Sequence, residues 1–195
     1  MSSRSAELKK TIRRERLAAR DAIPADIRIE KSLAMAEHGA DIAFEPGTVV
    51  SGFSPIRSEA DIRPLMFALR EKGARLCLPV VEDRETIIFR ELVRGAELVD
   101  TGFGTAGPGP EAEVLDPQML LVPLSAFDAA GNRIGYGAGH YDRAIARLRE
   151  KGMTPRLIGI AFACQEVDNV PAEPHDVPLD AILTEDGLRR LGGQA

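Results

Sequence analysis

Apolar residues recur along this chain in two rhythms: three to four apart in some segments, nearly continuous in others. Residues 6–20 hold no proline or glycine, and Leu8, Ile12 and Ala19 form a modest apolar stripe, which predicts a helix. Pro24, Ala25 and Asp26 mark a turn and a new helix start. The second helix spans 25–38, with Ile27, Leu33 and Ala34 among its apolar positions and Gly39 at its end. A third covers 60–72, where Ile62, Leu65, Met66 and Leu69 fall at helical spacing; it opens at about Glu59 and closes at Gly73. A fourth runs from about His140 to Lys151. Strands are predicted at 48–53, 74–80, 86–92, 120–127, 156–163 and 181–184. The runs 120–124 and 157–163 are apolar throughout, as strands covered on both faces of a parallel sheet are. Strands alternating with helices predict an α/β fold with a largely parallel sheet. The stretch TGFGTAGPGPEAE (101–113) reads as a loop, not as a linker between domains.

A length of 195 residues suits one hydrophobic core, so a single domain over 1–195 is expected. Apolar residues are 44% and charged residues 28%, the balance of a soluble globule. No apolar run is long enough to span a bilayer, and MSSRSAELKK lacks the apolar core of a secretory signal. Cys77 and Cys164 make no disulfide framework and sit in apolar contexts, as small buried hydrophobes do. The expected compartment is the cytoplasm.

The net charge is -5, which argues against a nucleic-acid partner unless the positives are concentrated. They are, in part. Residues 1–20 carry seven Lys or Arg against two Glu, a net of +5, leaving -10 for the remainder. Lys9, Arg13, Arg16 and Arg20 recur at spacings of 4, 3 and 4 and so share one side of the helix. That side is either solvated or set over a polyanionic ligand. A membrane-surface role fits poorly, since the apolar side lacks bulk and aromatics.

The densest local signal is NRIGYGAGHYDR (132–143), with Gly135, Gly137 and Gly139 at alternate positions between a strand and a helix. Glycines allow close backbone approach, and the N–H groups at a helix start lack intrachain partners. Together they can cradle a phosphate, or simply make a tight turn. The run is neither a Walker A sequence nor a dinucleotide fingerprint. Asp142, in the first turn of the helix, can place an oxygen on Mg²⁺ or merely favour the helix dipole. Arg133 and Arg143 flank it. Asp176, in a loop before the last strand, can join it on a metal. Glu59 stands where it could cap a helix. His38, His140 and His175 are too scattered for a zinc site, and no nucleophile elbow is present.

From KKTIRRERLAAR to HDVPLDAILTE the chain resembles the 5-formyltetrahydrofolate cyclo-ligase family, also called 5,10-methenyltetrahydrofolate synthetases. The strongest segment is VPLSAFDAAGNRIGYGAGHYDRAIARL (122–148), similar to the family's Val-Pro strand, Phe-Asp, glycine run, Tyr-Tyr-Asp-Arg and helix. Lys9 and Arg13 match its amino-terminal Lys-x-x-x-Arg, and Glu59 in SPIRSEADIRPL matches its substrate-binding glutamate. The resemblance implies one α/β domain in three layers, a central sheet flanked by helices. It implies ATP-dependent closure of 5-formyltetrahydrofolate to 5,10-methenyltetrahydrofolate, with release of ADP and phosphate, through a phosphorylated N5-formyl intermediate. Carried over by position, Lys9, Arg13, Tyr136 and Asp142 would be catalytic. ATP would lie on Lys9, Arg13, Arg133, Ile134, Gly135, Tyr136, Gly137, Ala138, Gly139, His140 and Tyr141. Mg²⁺ would be held by Asp142 and Asp176, and the folate by Glu59, Tyr136 and His140.

Three features depart from the family pattern. His140 replaces the first tyrosine of Tyr-Tyr-Asp, LSAF replaces the usual Gly-Val-Ala-Phe, and GFGTAGPGP replaces a Gly-Ile-x-Glu-Pro loop. The glycine-rich 101–110 loop could gate the folate. The implied partner is a small-molecule folate, whose polyglutamyl tail the basic helix could attract, with no nucleic acid and no membrane, and a monomer is expected. The competing readings are another ATP-dependent ligase or kinase on the same scaffold, a non-catalytic nucleotide- or folate-binding protein, and a nucleic-acid module with a basic arm.

Overall fold

The computed structural model describes residues 3–102, 104–173 and 176–191. Helices α1 (Ser3–Asp21) and α2 (Ala25–His38) precede β1 (Val49–Ser51). Helix α3 (Arg63–Glu71) leads into β2 (Arg75–Val81), which turns back as β3 (Ile87–Glu91). A hairpin of β4 (Leu98–Gly102) and β5 (Thr105–Pro108) follows, then β6 (Val114–Leu115) and β7 (Met119–Pro123). A small pair, β8 (Ala126–Phe127) and β9 (Arg133–Ile134), precedes α4 (His140–Glu150). The chain continues through β10 (Arg156–Ile160), β11 (Ala181–Thr184) and β12 (Gly187–Arg190).

One sheet carries the order β12-β11-β10-β7-β1-β2-β3-β6. Its middle is parallel, from β11 through β10, β7 and β1 to β2. Pairing is antiparallel at β12 on one edge and at β2–β3 and β3–β6 on the other. Successive side chains of a strand point to opposite faces, so a strand buried on both has no polar rhythm. Val50, Leu121 and Ile158 join Met35, Leu65 and Leu69 of α2 and α3 in one core cluster. Leu120, Val122, Leu157 and Ile182 join Ala144, Ile145 and Leu148 of α4 in another. The result is three layers, helices on both sides of a mostly parallel sheet. Each fully buried Leu or Ile contributes on the order of 2 kcal/mol, so both layers are held mainly by apolar burial.

Several boundaries differ from expectation, each for a local reason. Helix α3 starts at Arg63, not near Glu59; Pro64 lies in its first turn and Asp61 accepts the Arg63 N–H at 3.0 Å. The predicted 120–127 strand breaks after Pro123, where the Ser125 N–H turns to the Ile134 carbonyl at 2.7 Å and starts the β8–β9 pair. The predicted 156–163 strand ends at Ile160, and Gln165 Oε1 accepts the Phe162 N–H at 2.9 Å. The glycine-rich stretch at 101–113 is not a loop throughout: it supplies the end of β4, all of β5 and a two-residue turn into β6, although Phe103 lies outside the described residues. Strand β12 was unexpected, because its Arg189 and Arg190 are exposed on a sheet edge. Among the described residues no helix is long and apolar enough to cross a membrane.

Candidate active site

Strand β1 pairs with β2 on one side and with β7 on the other. The chain leaves β1 for β2 by way of α3 and returns to its far side as β7, so the strand order reverses between β1 and β7. In open α/β sheets a crevice forms beyond the carboxyl ends of the strands at such a switch point. A cavity of about 740 Å³ occupies that place here. Its walls are the loop after β1, the ends of β2 and β7, Thr105 of β5, the segment from Arg133 to Asp142, Asp176, and Ala6, Lys9 and Arg13 of α1. All fourteen site residues singled out from the sequence line it.

Helix α1 closes one side. Ile12 packs on a small cluster of Ala126, Ile134 and Val170. Its cationic side is not solvated: all four residues at the 4, 3, 4 spacing reach into the protein. Lys9 Nζ donates to Asp176 Oδ2 at 2.6 Å. Arg13 Nε donates to the Gly135 carbonyl at 2.8 Å, and Arg16 Nη1 to that of Cys164 at 3.2 Å. Arg20, 2% exposed, donates from Nε to Ser58 Oγ at 3.0 Å and from Nη1 to the Tyr136 hydroxyl at 2.7 Å.

The glycine run takes its shape from backbone that only glycine adopts easily. Gly137 and Gly139 have φ of 103° and 68°, and the Arg13 guanidinium lies within 4 Å of where a Gly137 Cβ would stand. Gly139 is the N-cap of α4 and has no side-chain cap, so the first N–H groups of that helix face the cavity end without a side-chain acceptor. Such a turn, with cations beside it, can bind a polyphosphate. His140 Nε2 lies 3.1 Å from the Arg84 carbonyl, which can only accept, so that nitrogen carries hydrogen. The Tyr141 hydroxyl is buried and has no hydrogen-bond partner among the described residues, a donor left for a ligand.

Two carboxylates mark the other end. Arg133 Nη2 donates to Asp142 Oδ1 at 2.5 Å while its Nη1 donates to the Val177 carbonyl. Asp142 and Asp176 also line a second, shallower hollow together. Among the described residues no group of three or more His, Cys, Asp or Glu could hold a metal ion, and His175 lies outside them. Two hard oxygen donors beside a phosphate cradle do fit a cation that takes its other ligands from phosphate and water, as Mg²⁺ does.

Glu59 sits in the loop after β1. It is not a cap of α3. Its Oε2 accepts the Ile56 N–H at 2.8 Å and its Oε1 the Tyr136 hydroxyl. Burial is the main influence on its carboxyl and raises it above the ordinary value; the bonds from Tyr136 and Ile56 and the charges of Arg20 and Arg57 oppose that. Arg20, Ser58 and Thr105 also belong to this end of the molecule and carry no motif of their own. Only the helical spacing of Arg20 with Lys9 and Arg13 hints at its direction.

The family model for the 5-formyltetrahydrofolate cyclo-ligase family matches residues 5–185. The 5-formyltetrahydrofolate cyclo-ligase of Mycolicibacterium smegmatis is 36% identical over 146 residues, 71% of this chain and 74% of that protein. That of Escherichia coli K12 is 32% identical over 141 residues, 69% of this chain and 76% of its own length. The solved structure of 5,10-methenyltetrahydrofolate synthetase from Aquifex aeolicus superposes with a TM-score of 0.81 at 29% identity, covering 96% of this chain and 95% of that one.

Proposed function

This chain belongs to the 5-formyltetrahydrofolate cyclo-ligase family, and from that premise we propose that it closes 5-formyltetrahydrofolate to 5,10-methenyltetrahydrofolate at the expense of ATP. The observation that carries the reading is the single cavity that gathers Lys9, Arg13, the glycine run, Asp142 and Glu59 at the switch point.

A formamide oxygen is a very poor leaving group. The γ-phosphoryl group of ATP passes to the N5-formyl oxygen: an O–P bond forms, the bond to the β-phosphate breaks, and ADP departs. N10 then attacks the activated carbon and loses its proton, the C–O bond breaks, and phosphate leaves. Both reacting groups belong to one folate, so the protein need supply no covalent nucleophile. Its tasks are positioning and charge stabilisation. Lys9, Arg13, Arg133 and the N–H groups around Gly135, Gly137 and Gly139 bind the nucleotide. Glu59 receives N–H groups of the pterin, with Tyr136 and His140 beside it. Asp142 and Asp176 would hold Mg²⁺, which when bound neutralises charge on the phosphates. Helix α1 excludes water from the phosphate side.

The test is a near-ultraviolet assay of methenyl formation with 5-formyltetrahydrofolate, ATP and Mg²⁺, with controls lacking ATP or using 10-formyltetrahydrofolate. ATP-dependent product is expected. A folded, ATP-binding protein that makes none would overturn the choice of acceptor.

A further inference from the structure

Arg20 lies behind the cavity wall, not in it, and touches the lining through Tyr136. It is buried, yet among the described residues it makes no salt bridge. Its charge reaches two carboxylates only through hydroxyls. Nη1 meets the Tyr136 hydroxyl, which meets Glu59. Nε meets Ser58 Oγ, which meets Asp21. The guanidinium also lies 5.9 Å from the centroid of the Tyr136 ring.

A guanidinium has only N–H groups to offer and no acceptor. Each hydroxyl must therefore accept from Arg20, and its one proton is left for the carboxylate behind it. Ionised carboxylates only accept, so the chain of donors runs one way, from Arg20 outward. Two groups that could otherwise rotate are held in one orientation by a single buried cation. Arg16, one turn earlier, bonds a carbonyl and orients nothing of this kind.

We propose that Arg20 is a positioning residue for the folate end of the cavity: it commits the Tyr136 proton to Glu59 and so presents Glu59 to the pterin as a charged acceptor. The proposal rests on the folate reading above. The groups facing Glu59 are Arg20 of α1, Tyr136 of the glycine run, Tyr141 of α4, and Arg57 and the Ile56 N–H of its own loop. Arg57 remains after Arg20 is replaced, so the loss is partial.

The experiment compares Arg20→Met and Arg20→Lys with the unaltered enzyme in steady-state titrations of 5-formyltetrahydrofolate and of Mg-ATP between pH 6 and 8. In Arg20→Met the folate KM should rise about tenfold at pH 6, as loss of one charged hydrogen bond implies, and less at pH 8, with the Mg-ATP KM within about twofold of normal. Arg20→Lys, which keeps a cation and its donors, should remove the pH dependence. Equal rises in both KM values would make Arg20 a mere anchor of α1 and overturn the proposal, as would an unchanged folate KM. If Arg20→Met does not fold, Arg20→Gln, which keeps a polar donor on a shorter stem but not the charge, carries the same prediction and the same refutation. Failure of the unaltered enzyme to turn over the folate would instead strike the parent reading.

Discussion

Lys9 and Asp176 are separated by 167 positions in the chain and meet at 2.6 Å, with side chains 12% and 22% exposed. A pair so covered is worth more than a solvated one, and removing one partner takes the opposite charge away from the other. Lys9→Ala and Asp176→Asn should each raise the Mg-ATP KM about tenfold. The double variant should fall well short of the product of the two, because the losses share one contact. Effects that multiply in full would show that Lys9 and Asp176 act separately.

Asp142 should be the most sensitive acid in the site. Asp142→Asn keeps the shape of the first turn of α4 and leaves Arg133 on the Val177 carbonyl. The expected result is a fall in kcat/KM for Mg-ATP of about 100-fold, with a melting temperature near that of the unaltered protein. A Mg-ATP titration with unchanged kcat and KM would remove Asp142 from the phosphate end.

Glu59 gives a stability prediction of unusual sign. Its carboxyl is raised, chiefly by burial, so the folded chain holds this proton more tightly than the unfolded one does. That contribution is complete below the ordinary carboxylate value and is lost as pH rises through the raised one. Glu59→Gln cannot lose a proton. Its melting temperature relative to the unaltered protein should therefore improve from pH 4 to pH 8, while its folate KM rises about tenfold. Parallel curves across that range would contradict the burial argument.

The two thiols should differ. Cys77 is fully buried and its thiol is pushed up to about 12, mainly by burial. Cys164 is only partly buried, and that burial also raises its thiol above the ordinary value. An alkylating reagent at pH 8 should label Cys164 slowly and leave Cys77 intact until the protein is denatured. Rapid labelling of both in the native state would mean that the sheet opens readily between β1 and β2.

The layers were legible because they follow from apolar rhythm: 120–124 reads as a strand buried on both faces, and Leu65 and Leu69 mark a buried helix stripe. The β4–β5 hairpin was not, since its glycines and prolines look like loop and the strands it packs against, β2 and β3, come from an earlier part of the chain. Strand β12 was hidden by its exposed arginines. At the site, the glycine run and Asp142 stand together in sequence and could be seen together. Arg20 could be placed on the right side of its helix, but its partners, Ser58 and Tyr136, come from two distant loops and no spacing rule joins them. Glu59 was found by likeness to a family, while its place in a loop rather than at a helix start depended on where Pro64 and Asp61 begin α3.

The manner in which α1 is held has a consequence for synthesis. As the chain leaves the ribosome, this basic helix appears long before most of what it binds: Ser58 follows first, then Gly135 and Tyr136, then the Cys164 carbonyl, and Asp176 last. Closing contacts so distant in sequence is slow. Helical signal should therefore recover early when the denatured chain is returned to buffer, and turnover late. The appearance of catalysis marks the moment when the two far ends of this fold have found each other.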